Sequence, residues 1–216
     1  MNTFIIGEAG SNHENSLNRA KRLIDLAYDS GCDAVKFQFC SNYARFVARR
    51  KIPLPKYRFS IEREWLPTLS AYCSDGDQIE FMCSTYLPED IEVVAPFVKR
   101  FKVSAFEQND KEFIDAHFKF DKPVIISGET LYCVSKYPCP DDDIHLWKVA
   151  KHKGLSDHTK NPLTGALAVA LNAEIIETHF RLEDTSRDCP DFAVSRSPEE
   201  LKLYVQYIRQ AEVLLE

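Results

Sequence analysis

The sequence predicts a parallel α/β architecture, either a doubly wound sheet or a closed (β/α)8 barrel. Two observations carry that expectation. Short apolar runs alternate with segments of helical periodicity almost from end to end, the pattern of repeated strand–helix units. No linker or composition break divides the 216 residues, 44% of them hydrophobic and 28% charged, so one domain with one sizeable core is expected.

The elements follow in order. Residues 3–8 form the first strand. Ser16 caps a helix whose apolar positions Leu17, Ala20, Leu23, Ile24 and Ala27 share one face. Gly31 closes it, and residues 33–39 form the second strand. Residues 41–60 are polar, basic and contain proline, which reads as a long loop. A helix near 62–74 precedes a third strand at 79–85. Pro88-Glu89-Asp90 starts a further helix, and 100–104 is the fourth strand. Asn109-Asp110 caps a helix running to about His117, and 123–127 is the fifth strand. Residues 131–135 read as the sixth strand, and 154–159 end a seventh. Asn161-Pro162 reads as a cap followed by proline at the first helical position, ahead of an apolar helix from Leu163 to Leu171. Residues 174–180 form the eighth strand. Ser197-Pro-Glu-Glu200 is a capping box before Leu201, Tyr204, Val205 and Ile208.

One junction breaks the rhythm. Only four residues, Ser127-Gly-Glu-Thr130, separate the fifth and sixth strands, whereas a parallel crossover needs roughly a dozen. In a barrel reading the helix between those strands is missing, which also suits a chain shorter than the usual ~250 residues.

Charge narrows the function. Lys+Arg 27 against Asp+Glu 33 leaves a formal charge of −6, which argues against nucleic-acid or membrane-surface binding. There is no signal-peptide pattern at the start and no run of 18 apolar residues, so a cytoplasmic protein is expected. The seven cysteines are scattered, with no Cys-x-x-Cys pair, and read as free buried thiols.

In parallel α/β folds the ligand sits at the carboxyl ends of the strands. The polar residues there are Glu8, Asn12, His13, Lys36, Gln38, Ser84, Thr85, Lys102, Ser104 and Glu107. Ser127, Glu129, Ser135, Lys136, Tyr137, Ser156, Asp157, His158, Glu177 and His179 complete them. Alternation puts Ser156 with His158 and Glu177 with His179 on one face each, so the two histidines either share a divalent metal or stand as separate hydrogen-bonded side chains. Lys36 and Lys102 are charges set in apolar strands; they either receive an anion, helped by Thr85, Ser104 and Ser135, or snorkel to solvent or pair with nearby carboxylates such as Glu8 and Glu107.

Nine segments together carry a resemblance. They are Ile5-Ile-Gly-Glu-Ala-Gly-Ser-Asn-His13, Ser30-Gly-Cys-Asp-Ala-Val-Lys-Phe-Gln38, Phe81-Met-Cys-Ser-Thr85, Phe101-Lys-Val-Ser-Ala-Phe-Glu107 and Lys122-Pro-Val-Ile-Ile-Ser127. Cys133-Val-Ser-Lys-Tyr-Pro138, Gly154-Leu-Ser-Asp-His-Thr159, Ile175-Ile-Glu-Thr-His-Phe180 and the tail Pro190-Asp191 with Ser195 and Pro198-Glu-Glu200 follow in order. The chain resembles the N-acetylneuraminate (sialic acid) synthase family, which includes pseudaminic and legionaminic acid synthases.

The resemblance implies a TIM-type (β/α)8 barrel, here without the helix between strands 5 and 6. It implies an enzyme that condenses phosphoenolpyruvate with an N-acylated amino-sugar aldehyde to a nine-carbon 2-keto acid, releasing phosphate. His158 and His179 would hold Mn²⁺ or Mg²⁺. Lys36, Thr85, Lys102, Ser135 and Ser156 would hold phosphoenolpyruvate. Glu8 and Asp191 match positions that touch the acceptor, Glu107 matches a carboxylate near the reacting carbons, and Ser104 and Tyr137 join the substrate-facing set. The chain departs from the family at Ala105, where a serine is usual, and at Cys189, where a glycine is common. Residues 1–216 read as the barrel domain alone, without the C-terminal antifreeze-like domain, so a separate cap-domain protein or a homo-oligomer is the expected partner. Two other readings are a non-catalytic barrel that binds a sugar phosphate or a protein, and a different phosphoenolpyruvate-dependent aldol-type synthase.

Overall fold

The computed structural model describes residues 2–54, 56–75 and 79–215. Eight parallel strands carry the fold: β1 (Phe4–Glu8), β2 (Ala34–Phe39), β3 (Glu80–Thr85), β4 (Phe101–Val103), β5 (Val124–Ile126), β6 (Leu131–Cys133), β7 (Gly154–Asp157) and β8 (Ile175–His179). Their order is β5-β4-β3-β2-β1-β8-β7-β6, and a single parallel bridge from Ser127 to Leu131 nearly closes the ring. The architecture is the (β/α)8 barrel, with its seam between β5 and β6.

The helices are α1 (Leu17–Asp29), α2 (Tyr43–Arg50), α3 (Trp65–Ser74), α4 (Pro88–Val94), α5 (Lys111–Phe118), α6 (Thr164–Ala170) and α7 (Pro198–Leu215). Local chemistry explains their starts. Ser16 accepts from the Arg19 amide and Asp110 from the Phe113 amide. Ser197 and Glu200 satisfy each other's backbone N–H groups, as the capping box requires. α6 begins two residues later than the Asn161-Pro162 signal suggests, because Asn161 turns its side-chain oxygen to the Leu163 amide in a preceding turn.

The expectation of a loop across 41–60 is corrected: α2 lies within it. Asn42 caps α2 by accepting from the Arg45 amide, and Arg49 and Arg50 favour its C-terminal dipole. Its one buried residue is Phe46, so the apolar periodicity is hidden among charges. Pro55 lies outside the described residues. Residues 127–130 form a turn with no helix, as expected: Gly128 N–H donates to Leu131 O, and Thr130 N–H to Ile126 O. Between β6 and β7 only two 3-10 segments, Asp141–Asp143 and Leu146–Lys151, replace a full helix.

Strand alternation sorts the interior. Ile5, Val35, Phe37, Phe81, Phe101, Leu155 and Ile176 face the helices and join the main core. Ile6, Ala34, Met82, Ile125 and Leu131 face inward and plug the amino-terminal end of the barrel. The carboxyl-terminal half of the lumen is left to polar residues. All seven cysteines are free thiols, as the spacing predicts, and six are buried. No helix among the described residues is long and apolar enough to cross a membrane.

Candidate active site at the carboxyl ends of the strands

A cavity of about 360 Å³ opens at the carboxyl ends of the strands. Its floor is a buried charge cluster. Lys36 Nζ lies 2.5 Å from Glu8 Oε2, 3.5 Å from Glu177 Oε2 and 3.1 Å from Ser84 Oγ. Lys102 Nζ lies 3.4 Å from Glu177 Oε1 and donates to Ser127 Oγ at 2.6 Å. Ser156 Oγ donates to Glu177 Oε1 at 3.0 Å, and Gln38 Nε2 to Glu8 Oε1 at 2.9 Å. Lys36 and Lys102 are 4% and 2% exposed, so no route to solvent relieves either charge.

Burial sets the protonation states. It raises the Glu8 carboxyl to about 7, with Lys36 only partly offsetting it. It would raise Glu177 as well, but Lys102 and Lys36 overcome it and bring this carboxyl to about 2. Burial would depress Lys36, yet Glu177 and Glu8 outweigh it and hold the ammonium above the usual lysine range. For Lys102 burial wins, and its ammonium sits below that range. Glu177 is therefore the anionic hub, while Glu8 is the carboxyl that takes or gives a proton near neutrality.

At the rim the rings of His158 and His179 stand 5.4 Å apart, between centroids. His158 Nδ1 lies 2.8 Å from Val134 O. A carbonyl can only accept, so Nδ1 carries the proton and the Nε2 lone pair is free, the arrangement of a metal-binding imidazole. Burial, then His179, lowers His158 to about 4; burial also lowers His179. His179 Nδ1 is buried without a hydrogen-bond partner, 4.0 Å from Asp191 Oδ1. Two neutral imidazoles with free lone pairs fit a divalent cation that keeps open positions. No group of three or more His, Cys, Asp or Glu among the described residues could enclose one, so the pair does not make a closed structural zinc site.

The structure brings together Glu8, Lys36, Lys102, Ser104, Tyr137, Ser156, His158, His179 and Asp191 around this one cavity. Three expected members stand elsewhere. Thr85 faces out of the barrel, its hydroxyl 3.3 Å from His117 Nε2, because alternation in β3 turns Ser84 inward instead. Ser135 is exposed beyond the end of β6, and Cys133 lines the cavity in its place. Glu107 is buried but turned away from Lys102: it accepts from Ser104 Oγ and pairs with Arg50. His13 is likewise structural, held between Phe59 O and the Asn15 amide.

Arg50 is the residue that sequence reasoning missed, because it falls in the segment read as a loop. Ser84, Ser127 and Glu177 were visible as polar strand ends, but only the register shows them bonded to the lysines. Around Arg50 the wall turns aromatic, with Phe46, Phe59 and Tyr86 packed edge to face at 5.2–5.4 Å. Tyr137 stacks on Phe106 and lies 4.2 Å from the His158 ring.

A parallel barrel with two buried lysines and two histidines at one mouth defines a class: a (β/α)8 barrel with a polar cavity at its carboxyl-terminal face. The NeuB family model matches residues 23–130 and 129–216, and the chain belongs to the NeuB family. Among its relatives, an N,N'-diacetyllegionaminic acid synthase of Legionella pneumophila is 31% identical over 100% of this chain and 74% of its own length. A pseudaminic acid synthase of Campylobacter jejuni is 31% identical over 98% and 74%. The crystal structure of N-acetylneuraminic acid (sialic acid) synthetase from Leptospira borgpetersenii superposes with a TM-score of 0.83 at 24% identity, over 100% of this chain and 85% of that one, which shows the shared fold.

Proposed function

We propose that the protein condenses phosphoenolpyruvate with an N-acylated amino-sugar aldehyde to a nine-carbon 2-keto sugar acid, releasing phosphate. The observation that supports this best is the convergence of Lys36, Lys102 and the His158–His179 pair on one cavity. The activities for which the legionaminic and pseudaminic acid synthases are named agree with it.

Lys36 and Lys102 bind the anionic donor, with Ser127 and Ser156 able to turn their hydroxyls toward it. Their positions are fixed in advance by Glu177, so the charge meets the donor without reorganisation. His158 and His179 hold a divalent cation, Mn²⁺ or Mg²⁺, which when bound supplies Lewis-acid polarisation of the aldehyde oxygen. The donor's methylene carbon forms the new bond to the aldehyde carbon, water adds at the donor's second carbon, and the carbon–oxygen bond to phosphate breaks. Glu8 and Asp191, on the acceptor side, offer carboxylates to sugar hydroxyls, and Glu8 exchanges a proton near neutral pH. Tyr137 covers the histidine pair and limits water there.

The test is phosphate release from phosphoenolpyruvate with a panel of amino-sugar aldehydes, with Mn²⁺ and with EDTA. Metal-dependent release that needs a sugar supports the reading. Donor binding with no release on any sugar points to a binding barrel, and release with short unacylated aldehydes alone points to a different aldol-type synthase.

A further inference from the structure

The cavity has two unlike halves. The floor is cationic and meets an anion, whereas the wall on the α2 side is aromatic and carries one guanidinium. Arg50, the last residue of α2, lies over three rings at once: Phe46 at 4.7 Å, Phe106 at 4.7 Å and Tyr86 at 5.3 Å. Glu107, 5% exposed, pairs with it from behind and also takes the Ser104 hydroxyl. Arg50 and Ser104 line the cavity, but Glu107 does not. The carboxylate therefore fixes the Arg50 guanidinium and the Ser104 hydroxyl, whose one proton it takes, at the cavity wall.

This pair is electrically neutral as a unit, whereas the floor sets two lysines against one firmly ionised carboxylate, Glu177, with Glu8 raised to about 7. A second anion would have to displace Glu107 from the guanidinium. A neutral carbonyl oxygen would not, because Arg50 has five N–H donors and Glu107 uses only some of them. A small apolar group attached to that carbonyl would find the rings beside it. The chemical unit that presents a carbonyl oxygen and a methyl together is an acylamino group.

We propose that Arg50, held by Glu107 and ringed by Phe46, Tyr86 and Phe106, recognises the acyl group of the acceptor, its guanidinium donating to the acyl oxygen while the acyl methyl packs on the rings. The assignment rests on the synthase reading above and adds a specificity residue to it. Arg50 binds no donor, and Glu107 acts as a positioning residue through Arg50 and Ser104.

The test uses the full chain with Mn²⁺ and three acceptors: N-acetylmannosamine, its 6-phosphate and mannose. Arg50→Lys keeps the charge opposite Glu107 but loses the fork, so the pocket stays paired. Phe106→Ser removes a ring that is 63% exposed and leaves the core untouched. In Arg50→Lys, KM for N-acetylmannosamine should rise about tenfold or more, with kcat and calorimetric phosphoenolpyruvate affinity within about twofold of wild type. Phe106→Ser should move KM in the same direction by less, and neither change should alter KM for mannose. An Arg50→Gln/Glu107→Gln double variant, which leaves no unpaired charge, should show the same acyl-specific loss.

Equal losses for N-acetylmannosamine and mannose would overturn the assignment, as would a loss of donor affinity, which would move Arg50 to the donor. A wild-type preference for the 6-phosphate that Arg50→Lys abolishes would mean Arg50 reads a phosphate, and the acyl assignment would fall. Donor binding without release on any acceptor removes the acceptor pocket and this inference together, whereas absence of donor binding defeats the synthase reading itself.

Discussion

Glu177 Oε2 stands 3.5 Å from Lys36 Nζ, inside a lumen where both residues are under 5% exposed. A buried lysine held this way is committed to charge, and what it faces across the cavity should be an anion. Lys36→Ala should weaken phosphoenolpyruvate binding roughly 10- to 100-fold, the range of a lost charge-assisted contact, and leave a neutral sugar little affected. Calorimetry with both ligands decides it. Equal losses would make Lys36 a structural ion pair only.

The histidine pair has its own signature. His158→Ala or His179→Ala should abolish metal-dependent phosphate release and reduce Mn²⁺ binding measured by calorimetry, with an unchanged far-UV spectrum. Lone-pair geometry at His158 is set by the Val134 carbonyl, so His158→Gln, which cannot offer an equivalent imidazole nitrogen, should not rescue it. Full Mn²⁺ affinity in either alanine variant would sink the metal assignment.

Much of this site is legible in the sequence because strand alternation is strict where strands are regular. Ser156 with His158 and Glu177 with His179 face one lumen for that reason alone. The reading slips where the chain leaves a strand. Thr85 obeys the alternation of β3 and so faces out while Ser84 faces Lys36, whereas Ser135 lies beyond the end of β6, where counting by twos loses its meaning, and Cys133 lines the cavity. Arg50 was hidden for a different cause: α2 buries only Phe46, so no periodicity marks it as a helix. The missing helix at 127–130 was readable because four residues cannot span a crossover.

Burial of Glu8 fixes the sign of its contribution to the pH dependence of stability. Its carboxyl is raised from 4.5 to about 7 by burial, so the folded state binds its proton more tightly than the unfolded chain. The stability it contributes is complete below about 4.5 and is lost as pH rises toward 7. His158, lowered to about 4, has the opposite slope: its contribution is present above 6.5 and fades as pH falls. The two can be separated by subtraction. The melting temperature of wild type minus that of Glu8→Gln should fall between pH 4.5 and 7, and a flat difference would mean that Glu8 titrates normally.

The seam and the regular wall of the barrel should respond differently to one added methyl. At Gly154, paired in register with Ile175 across β7 and β8, a Cβ would lie 1.8 Å from the Ile175 carbonyl oxygen, which is backbone and cannot swing aside. Gly154→Ala should therefore push β7 and β8 apart beneath Ser156 and Glu177, costing about 3 kcal/mol or more and lowering Tm by roughly 6 °C or more. At Gly128, in the β5–β6 turn, the same methyl meets Gln108 Oε1 at 1.7 Å, the end of a flexible side chain, at a φ of +94°. Gly128→Ala should cost only about 1–2 kcal/mol, chiefly for the backbone conformation. Adding Gln108→Ala should recover the steric share of that loss at Gly128, whereas no side-chain change near Gly154 should recover the other. If both alanine variants melt alike, the β7–β8 register that places Ser156 beside Glu177 is not the one described.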